Sequence, residues 1–488
     1  MFISSINLPK AEDKHKIYFG FAAMAFIATG LILQLIQPGI IHTDGGLFGS
    51  VAYKDLHGGT LYQDAWENKA PGIFYLLELF LLITPDPVTA MFAAAFSGLF
   101  TISLSLYYIF YKSFKSLSLS LLFTPIALLF TIYKNNVGDG LYTEIFGMAF
   151  LLLGFAISLN DVKSKHSLKL SLIFTGMAFW FREPFLLMVI PQLLLIYLIH
   201  KDTISNKWIF LFALLPSAFF IALLVINGSL QGFIDMLKYN FFYIANDNVV
   251  SYKVKLNELY QNFFYKILPL VFFTVFITYQ GFKLKDLKIK ILCSLLILLA
   301  SSGLVMASPH NFGHYYFPVF VYFFVYAAFV YSLLQGIGPG LKLPLIILSI
   351  YTLYQLDDEQ KIRLNFKIIP YQEDKIAAFL KQEKGKTLFV DYVTRADYYL
   401  KSEKVPVSFV PVALPIHFQN NVYGLKNREK IWKDLSTKTP DYLITTYTTA
   451  YFSWFLPETE FYNKHFEKID SLKKPDEDII ILWRRKNP

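Results

Sequence analysis

Apolar residues fall into long unbroken runs along most of this chain. They lie near 17–40, 88–111, 117–133, 143–159, 168–181, 184–200, 208–226, 265–281, 288–307, 315–336 and 343–356. A helical membrane crossing needs about 20 such residues, so these runs predict transmembrane helices. A shorter run at 72–83 reaches only about 18 Å as a helix at about 1.5 Å per residue. That falls short of a hydrocarbon core of about 30 Å. From residue 357 the pattern turns mixed and polar. QEDKIAAFLKQEKG has the spacing of an amphipathic helix, and TLFVDY, PDYLITTY and DIIILWRR read as buried strands bounded by turn residues. The expected fold class is therefore a mostly α, polytopic membrane protein of about 11–13 transmembrane helices. Residues 1–356 form its membrane domain and residues 357–488 a small C-terminal α/β domain.

Composition agrees with this pattern: 55% of residues are hydrophobic, 18% aromatic and 17% charged, against roughly a quarter charged in soluble domains. The net charge of +9 does not point to nucleic acid, because the lysines gather in short loops between apolar runs. Lys163, Lys165 and Lys169 form one such group, and Lys283, Lys285, Lys288 and Lys290 another. That placement is the signature of cytoplasmic loops. Cys293 is the single cysteine, so no disulfide within the chain is expected. The start, MFISSINLPKAEDKHK, feeds a full-length span and reads as an uncleaved signal anchor. With the N-terminus cytoplasmic, the segments 41–71, 134–142, 227–264 and 308–316 fall outside, as does the C-terminal domain. The expected location is the cytoplasmic (inner) membrane, with that domain extracytoplasmic. All the unusual polar residues then face one side.

The richest of these segments is HTDGGLFGSVAYKDLHGGTLYQDAWENKAPG, residues 42–72. It packs three aspartates, a glutamate, two lysines and two histidines next to the first span. Charge so close to hydrocarbon is costly unless it has a use. Asp44 suits a general base, since partial burial raises a carboxyl toward neutrality; helix capping and metal binding are its other roles. Asp64, Trp66, Lys69 and Pro71 form a second knot, where Lys69 either holds a phosphate at a helix start or snorkels from its end. Glu144 opens the run at 143 and is either a cap favoured by the helix dipole or half of a two-carboxylate site with Asp44. Arg182 interrupts AFWFREPFLL and faces a lipid headgroup or a substrate phosphate. In SPHNFGHYYF, His310, His314, Tyr315 and Tyr316 stand at the mouth of a span, where phosphate or sugar contact fits better than metal binding.

The chain contains no P-loop, HExxH, GxSxG or GxGxxG opening a helix, so a nucleotide-activated donor is not expected. With these residues in place, the chain resembles the polytopic glycosyltransferases of the GT-C fold. More narrowly, it resembles bacterial relatives of protein O-mannosyltransferases and of lipid A aminoarabinose transferases. The resemblance rests on an acid after the first span, on Gly58-Gly59-Thr60-Leu61-Tyr62-Gln63-Asp64 followed by Lys69-Ala70-Pro71, on Thr143-Glu144, and on Arg182 to Pro184 with His314-Tyr315. Departures fall at Gly45, where many relatives carry a second acid, at Thr60-Leu61 and at Ala70. An acidic metal pair at 44 and 45 is therefore not implied.

The resemblance implies an inverting glycosyltransferase that moves a sugar from a polyprenyl-phosphate donor to an acceptor hydroxyl on a lipid, glycan or protein. Asp44 and Glu144 are its expected catalytic pair. Lys69, Arg182 and His314 are the expected donor-phosphate contacts. Tyr62, Asp64, Trp66, His310 and Tyr315 are assigned to substrate contact. A divalent metal, Mg or Mn, is left open, with Asp44 and Glu144 as its candidate ligands. Two rival readings are a transporter or flippase for lipid-linked glycans and a polysaccharide polymerase or ligase. The first of these would place essential charges at the midplane or on both faces.

Overall fold

A computed structural model describes residues 11–36, 41, 43–132, 137–160, 165–201, 207–246, 250–308, 312–334, 341–355, 375–383, 385–391, 395–411, 422–447, 463–473 and 479–486. In chain order the first helices are α1 (Ala11–Leu35), α2 (Thr43–Leu56), α3 (Pro71–Ile83), α4 (Pro87–Phe114) and α5 (Leu117–Thr131). They are followed by α6 (Thr143–Ser158), α7 (Lys165–Met177), α8 (Leu186–His200), α9 (Leu215–Ile226) and α10 (Leu230–Asn246). Next come α11 (Tyr252–Leu259), α12 (Leu268–Phe282), α13 (Lys285–Ala307), α14 (Phe317–Leu334) and α15 (Lys342–Tyr354). The C-terminal part holds α16 (Lys375–Gln382), α17 (Asp397–Lys401), α18 (Val422–Thr437) and strands β1 (Leu388–Val390), β2 (Tyr442–Tyr447), β3 (Phe466–Lys473) and β4 (Ile479–Arg485).

Among the described residues six helical segments are long and apolar enough to cross a membrane, and five shorter apolar helices accompany them. The short run at 72–83 is one of the latter. The segment 227–264, expected above to lie outside, is largely helical: α10 and α11 run through it, and a π-helical turn, Tyr260–Phe264, closes it. Its sequence holds the reason, because Phe233, Met236 and Tyr239 recur at three-residue intervals and are all buried.

The chain divides into two compact units that are not continuous in sequence. The first comprises 1–36, 95–220 and 244–368; the second comprises 37–94, 221–243 and 369–488. In the first unit α14 is buried along its whole length. Phe123, Phe263 and Tyr331 pack on it or on its neighbours edge-on or stacked. Glycine sets the closest approach of two helices there. A Cβ on Gly154 of α6 would stand 2.4 Å from Thr175 Oγ1 of α7. A buried polar chain joins α14, α8 and α6: Tyr322 donates to Gln192 Oε1 (2.6 Å), and Gln192 Nε2 donates to Leu151 O (2.8 Å). Paired in this way, buried polar groups fix one packing instead of opposing it.

In the second unit the sheet order is β1-β2-β4-β3, with β1 and β2 parallel and the other pairs antiparallel. The three predicted strands and the amphipathic helix α16 are present. Strand β3, FEKIDSLK, carries too many charges to be read as buried, and it pairs only with β4 at the sheet's edge. Helix α17 packs on α2, so the segment after the first span belongs to the same compact body as the C-terminal residues. Gly46 makes that approach possible. A Cβ there would lie 2.7 Å from the Asp397 backbone nitrogen.

Gly46→Ala is accordingly expected to destabilise the protein by about 1–3 kcal/mol, the usual cost of overpacking. Gly303→Ala, where a Cβ meets nothing within 4 Å, should be neutral or slightly stabilising in its helix. Thermal unfolding of the detergent-solubilised chain measures both, and equal effects at the two positions would refute the tight α2–α17 contact.

Candidate functional site

In the second unit the residues 42–72 fold into α2, a turn and the approach to α3. Asp44 lies in the first turn of α2 and is half-buried, where the helix dipole favours a carboxylate. Two residues past the end of the helix at Leu56, Gly58 takes a left-handed φ of 92°, which costs a glycine little. Tyr62 is then forced to a φ of 65°, a strained value for a residue with a side chain. Two bonds hold it there: its N–H donates to Ala65 O and its hydroxyl donates to Lys69 O, both at 2.7 Å. Tyr62, expected to touch substrate, thus serves as a strut for the Lys69 backbone.

The surroundings of this turn come from elsewhere in the unit. Trp66 donates its backbone N–H to Phe409 O (2.8 Å), and its ring meets Tyr239 edge-on at 5.2 Å. Asn240 Nδ2 donates to Asn68 O (3.1 Å). Lys69 Nζ donates to Asn68 Oδ1 (2.8 Å) and stands 5.9 Å from the Phe48 ring centre. Just beyond it, α3 begins at Pro71 with no side-chain cap on its first turn, which leaves backbone N–H groups for an anion. Asp64 is exposed and its charge acts on Lys54 and Asp55.

Three ionisable groups here escaped the sequence reading, because burial is not written in local spacing. Glu67 is only 3% exposed. Burial raises its carboxyl to about 7, Lys69 and the Asn68 N–H oppose the rise, and Asp44 adds to it. Lys54 donates to Ser408 O (2.6 Å), and burial lowers its ammonium to about 8. Burial raises the Asp55 carboxyl, and its hydrogen bond with Glu78 opposes the rise.

In the first unit Glu144 sits in the first turn of α6. Arg182 stands in an extended residue between two 3-10 turns, Ala178–Trp180 and Glu183–Phe185, at the break before Pro184. The two side chains meet, with Arg182 Nε 3.1 Å from Glu144 Oε1, and the pair is 19% and 5% exposed respectively. The Thr143 hydroxyl donates to Glu144 Oε2 (3.1 Å). The guanidinium also lies 5.4 Å from the Tyr315 ring centre. His314 stacks on Tyr142 at 4.3 Å and meets Tyr315 edge-on at the same distance.

The structure therefore groups Glu144, Arg182, His314 and Tyr315 in one unit, and Asp44, Tyr62, Trp66 and Lys69 in the other. His310 lies outside the described residues. Among the described residues no group of three or more His, Cys, Asp or Glu side chains is placed to hold a metal ion. A cation at Glu144 would have to compete with a guanidinium for the same oxygen.

No family model matches the chain, and no curated protein matches it. Solved structures do. ArnT from Cupriavidus metallidurans bound to undecaprenyl phosphate superposes with a TM-score of 0.56 at 10% identity, over 95% of this chain and 97% of that one. The same protein in the apo state gives 0.57 at 12% identity over the same shares. The chain thus has the polytopic membrane fold of the lipid A aminoarabinose transferases, the GT-C architecture that its sequence pattern resembles.

Two measurements follow from the geometry. Arg182→Ala strands a buried carboxylate and should cost about 3 kcal/mol, and adding Glu144→Gln should restore much of that loss. Additive losses in thermal unfolding would show that the pair is not coupled. For Glu67 the folded carboxyl titrates above its ordinary 4.5. Its contribution to stability is thus complete below about 4.5 and is lost as pH rises through about 7. Glu67→Gln should remove that segment of the stability–pH curve, and an unchanged curve would contradict the burial argument.

Proposed function

We propose that this protein is an inverting glycosyltransferase using a polyprenyl-phosphate sugar as donor, on the outer face of the cytoplasmic membrane. The observation that carries the reading is that Asp44 and Lys69, in one compact unit, both act electrostatically on the buried Glu67. It is supported by the fold shared with a protein crystallised with undecaprenyl phosphate. A lipid-linked donor also accords with the multi-pass membrane fold and with a chain that carries no nucleotide-binding motif.

In this reading the acceptor hydroxyl attacks the anomeric carbon from the face opposite the phosphate. Asp44 takes the hydroxyl proton as the new bond forms, a role that suits a half-buried carboxylate. The bond between the anomeric carbon and the phosphate oxygen breaks, and the electron pair stays on the lipid phosphate. Lys69, pre-set by Tyr62 and Asn68, neutralises the charge that develops there, together with the uncapped N–H groups of α3. In the other unit Glu144 and Arg182 hold each other through their ion pair. The acceptor is a hydroxyl of a lipid, glycan or protein.

Expressed at normal levels, Asp44→Asn should lower transfer by about 10²–10⁴-fold, the usual contribution of a general base. Lys69→Glu should block donor use without preventing membrane insertion. Mass spectrometry of envelope glycans and lipids reads both, and the sugar-charged donor is expected to accumulate. Unchanged glycosylation in Asp44→Asn would sink the base. A donor that moves across the membrane with its sugar–phosphate bond intact would favour a flippase.

A further inference from the structure

Among the four acids of residues 42–72, Glu67 is the most deeply buried. Asp44 and Asp55 are half-buried and Asp64 is exposed. Its carboxyl accepts from the Asn68 backbone N–H, while Oε2 has no hydrogen-bond partner among the described residues. The neighbouring Lys69 ammonium bonds Asn68 Oδ1 rather than Glu67. A buried carboxylate left half-satisfied beside a cation is an expensive arrangement. As a neutral acid the same group offers an O–H donor that lacks an acceptor among the described residues. That donor and the Lys69 cation lie two residues apart, at the uncapped start of α3.

We propose that Glu67 works in its protonated form as a hydrogen-bond donor to a phosphate oxygen of the ligand held by Lys69, so that phosphate capture depends on Glu67 keeping its proton. This rests on the donor assigned above, and it adds the protonation state in which that donor binds. The ligand class is a phosphate ester anion, which accepts from both groups at once and repels a Glu67 carboxylate. The charged groups acting on Glu67 are Lys69 on its own segment and Asp44 on α2. Helix α10 brings the neutral Tyr239 and Asn240 to this segment, and its Lys238 pairs with the exposed Asp235.

The test is binding of undecaprenyl phosphate to the full chain in detergent, followed by tryptophan fluorescence across the neutral pH range. For the wild type, affinity should fall by about tenfold per pH unit once Glu67 ionises, although the lipid phosphate itself gains charge in that direction. Glu67→Gln keeps an N–H donor that cannot ionise, so its affinity should stay level or rise with pH. Inorganic phosphate as a second probe should show the wild-type fall at weaker affinity. A fall with the lipid alone would overturn the assignment to the phosphate oxygen. An identical fall in Glu67→Gln, or none in the wild type, would overturn the proposal. Should Glu67→Gln fail to fold, infrared difference spectra of the wild type decide the matter. A protonated-carboxyl band perturbed by undecaprenyl phosphate at neutral pH supports the role, and its absence refutes it. If Lys69→Glu binds the lipid normally, the donor assignment fails first.

Discussion

Charge removed from water needs a partner, and that constraint organises both units of this protein. A buried ion without compensation costs several kcal/mol, so the local fold is built to supply counter-groups. In the second unit Lys54 finds the Ser408 carbonyl and Lys69 finds Asn68. Asp55 shares a hydrogen bond with Glu78. In the first unit Glu144 and Arg182 serve each other, and the Thr143 hydroxyl takes up the remaining carboxylate oxygen. Glu67 keeps one oxygen with no hydrogen-bond partner among the described residues, at the start of a helix that has no side-chain cap.

Position follows from the same constraint. The strained backbone of Tyr62 is tolerated because its hydroxyl and N–H are both taken up, and the outcome is a fixed Lys69 carbonyl. Gly46 and Gly232 lack the side chains that would push their helices away. A Cβ on Gly232 would lie 2.7 Å from Tyr62 Cβ. The shape of this segment thus depends on close packing at Gly46 and Gly232.

Much of the fold was legible in the sequence, because span length and apolar continuity are direct consequences of the membrane as a solvent. The C-terminal strands Leu388–Val390, Tyr442–Tyr447 and Ile479–Arg485 were legible as β-rich apolar runs. Phe466–Lys473 was not, since edge pairing needs no apolar run. The helices between 230 and 259 were hidden by their tyrosines and asparagines, which look like loop until Phe233, Met236 and Tyr239 are seen as one face. For the candidate site, residue types and order pointed to Asp44, Lys69, Glu144 and Arg182. Their partners were not readable. The Arg182–Glu144 contact joins residues 38 apart in sequence. Glu67, two positions before Lys69, carries no local mark of burial, because the Tyr239 and Phe409 that meet its neighbour Trp66 lie far along the chain.

The central claim is that residues 42–72 hold the phosphate of a polyprenyl lipid. Its most direct test is photo-crosslinking of the full chain in membranes with a polyprenyl phosphate bearing a diazirine beside the phosphate, followed by peptide mapping. The account predicts labelling on peptides containing Trp66 to Lys69, competed away by undecaprenyl phosphate and lost in Lys69→Glu. Efficient, competable labelling that avoids residues 42–72 would contradict it.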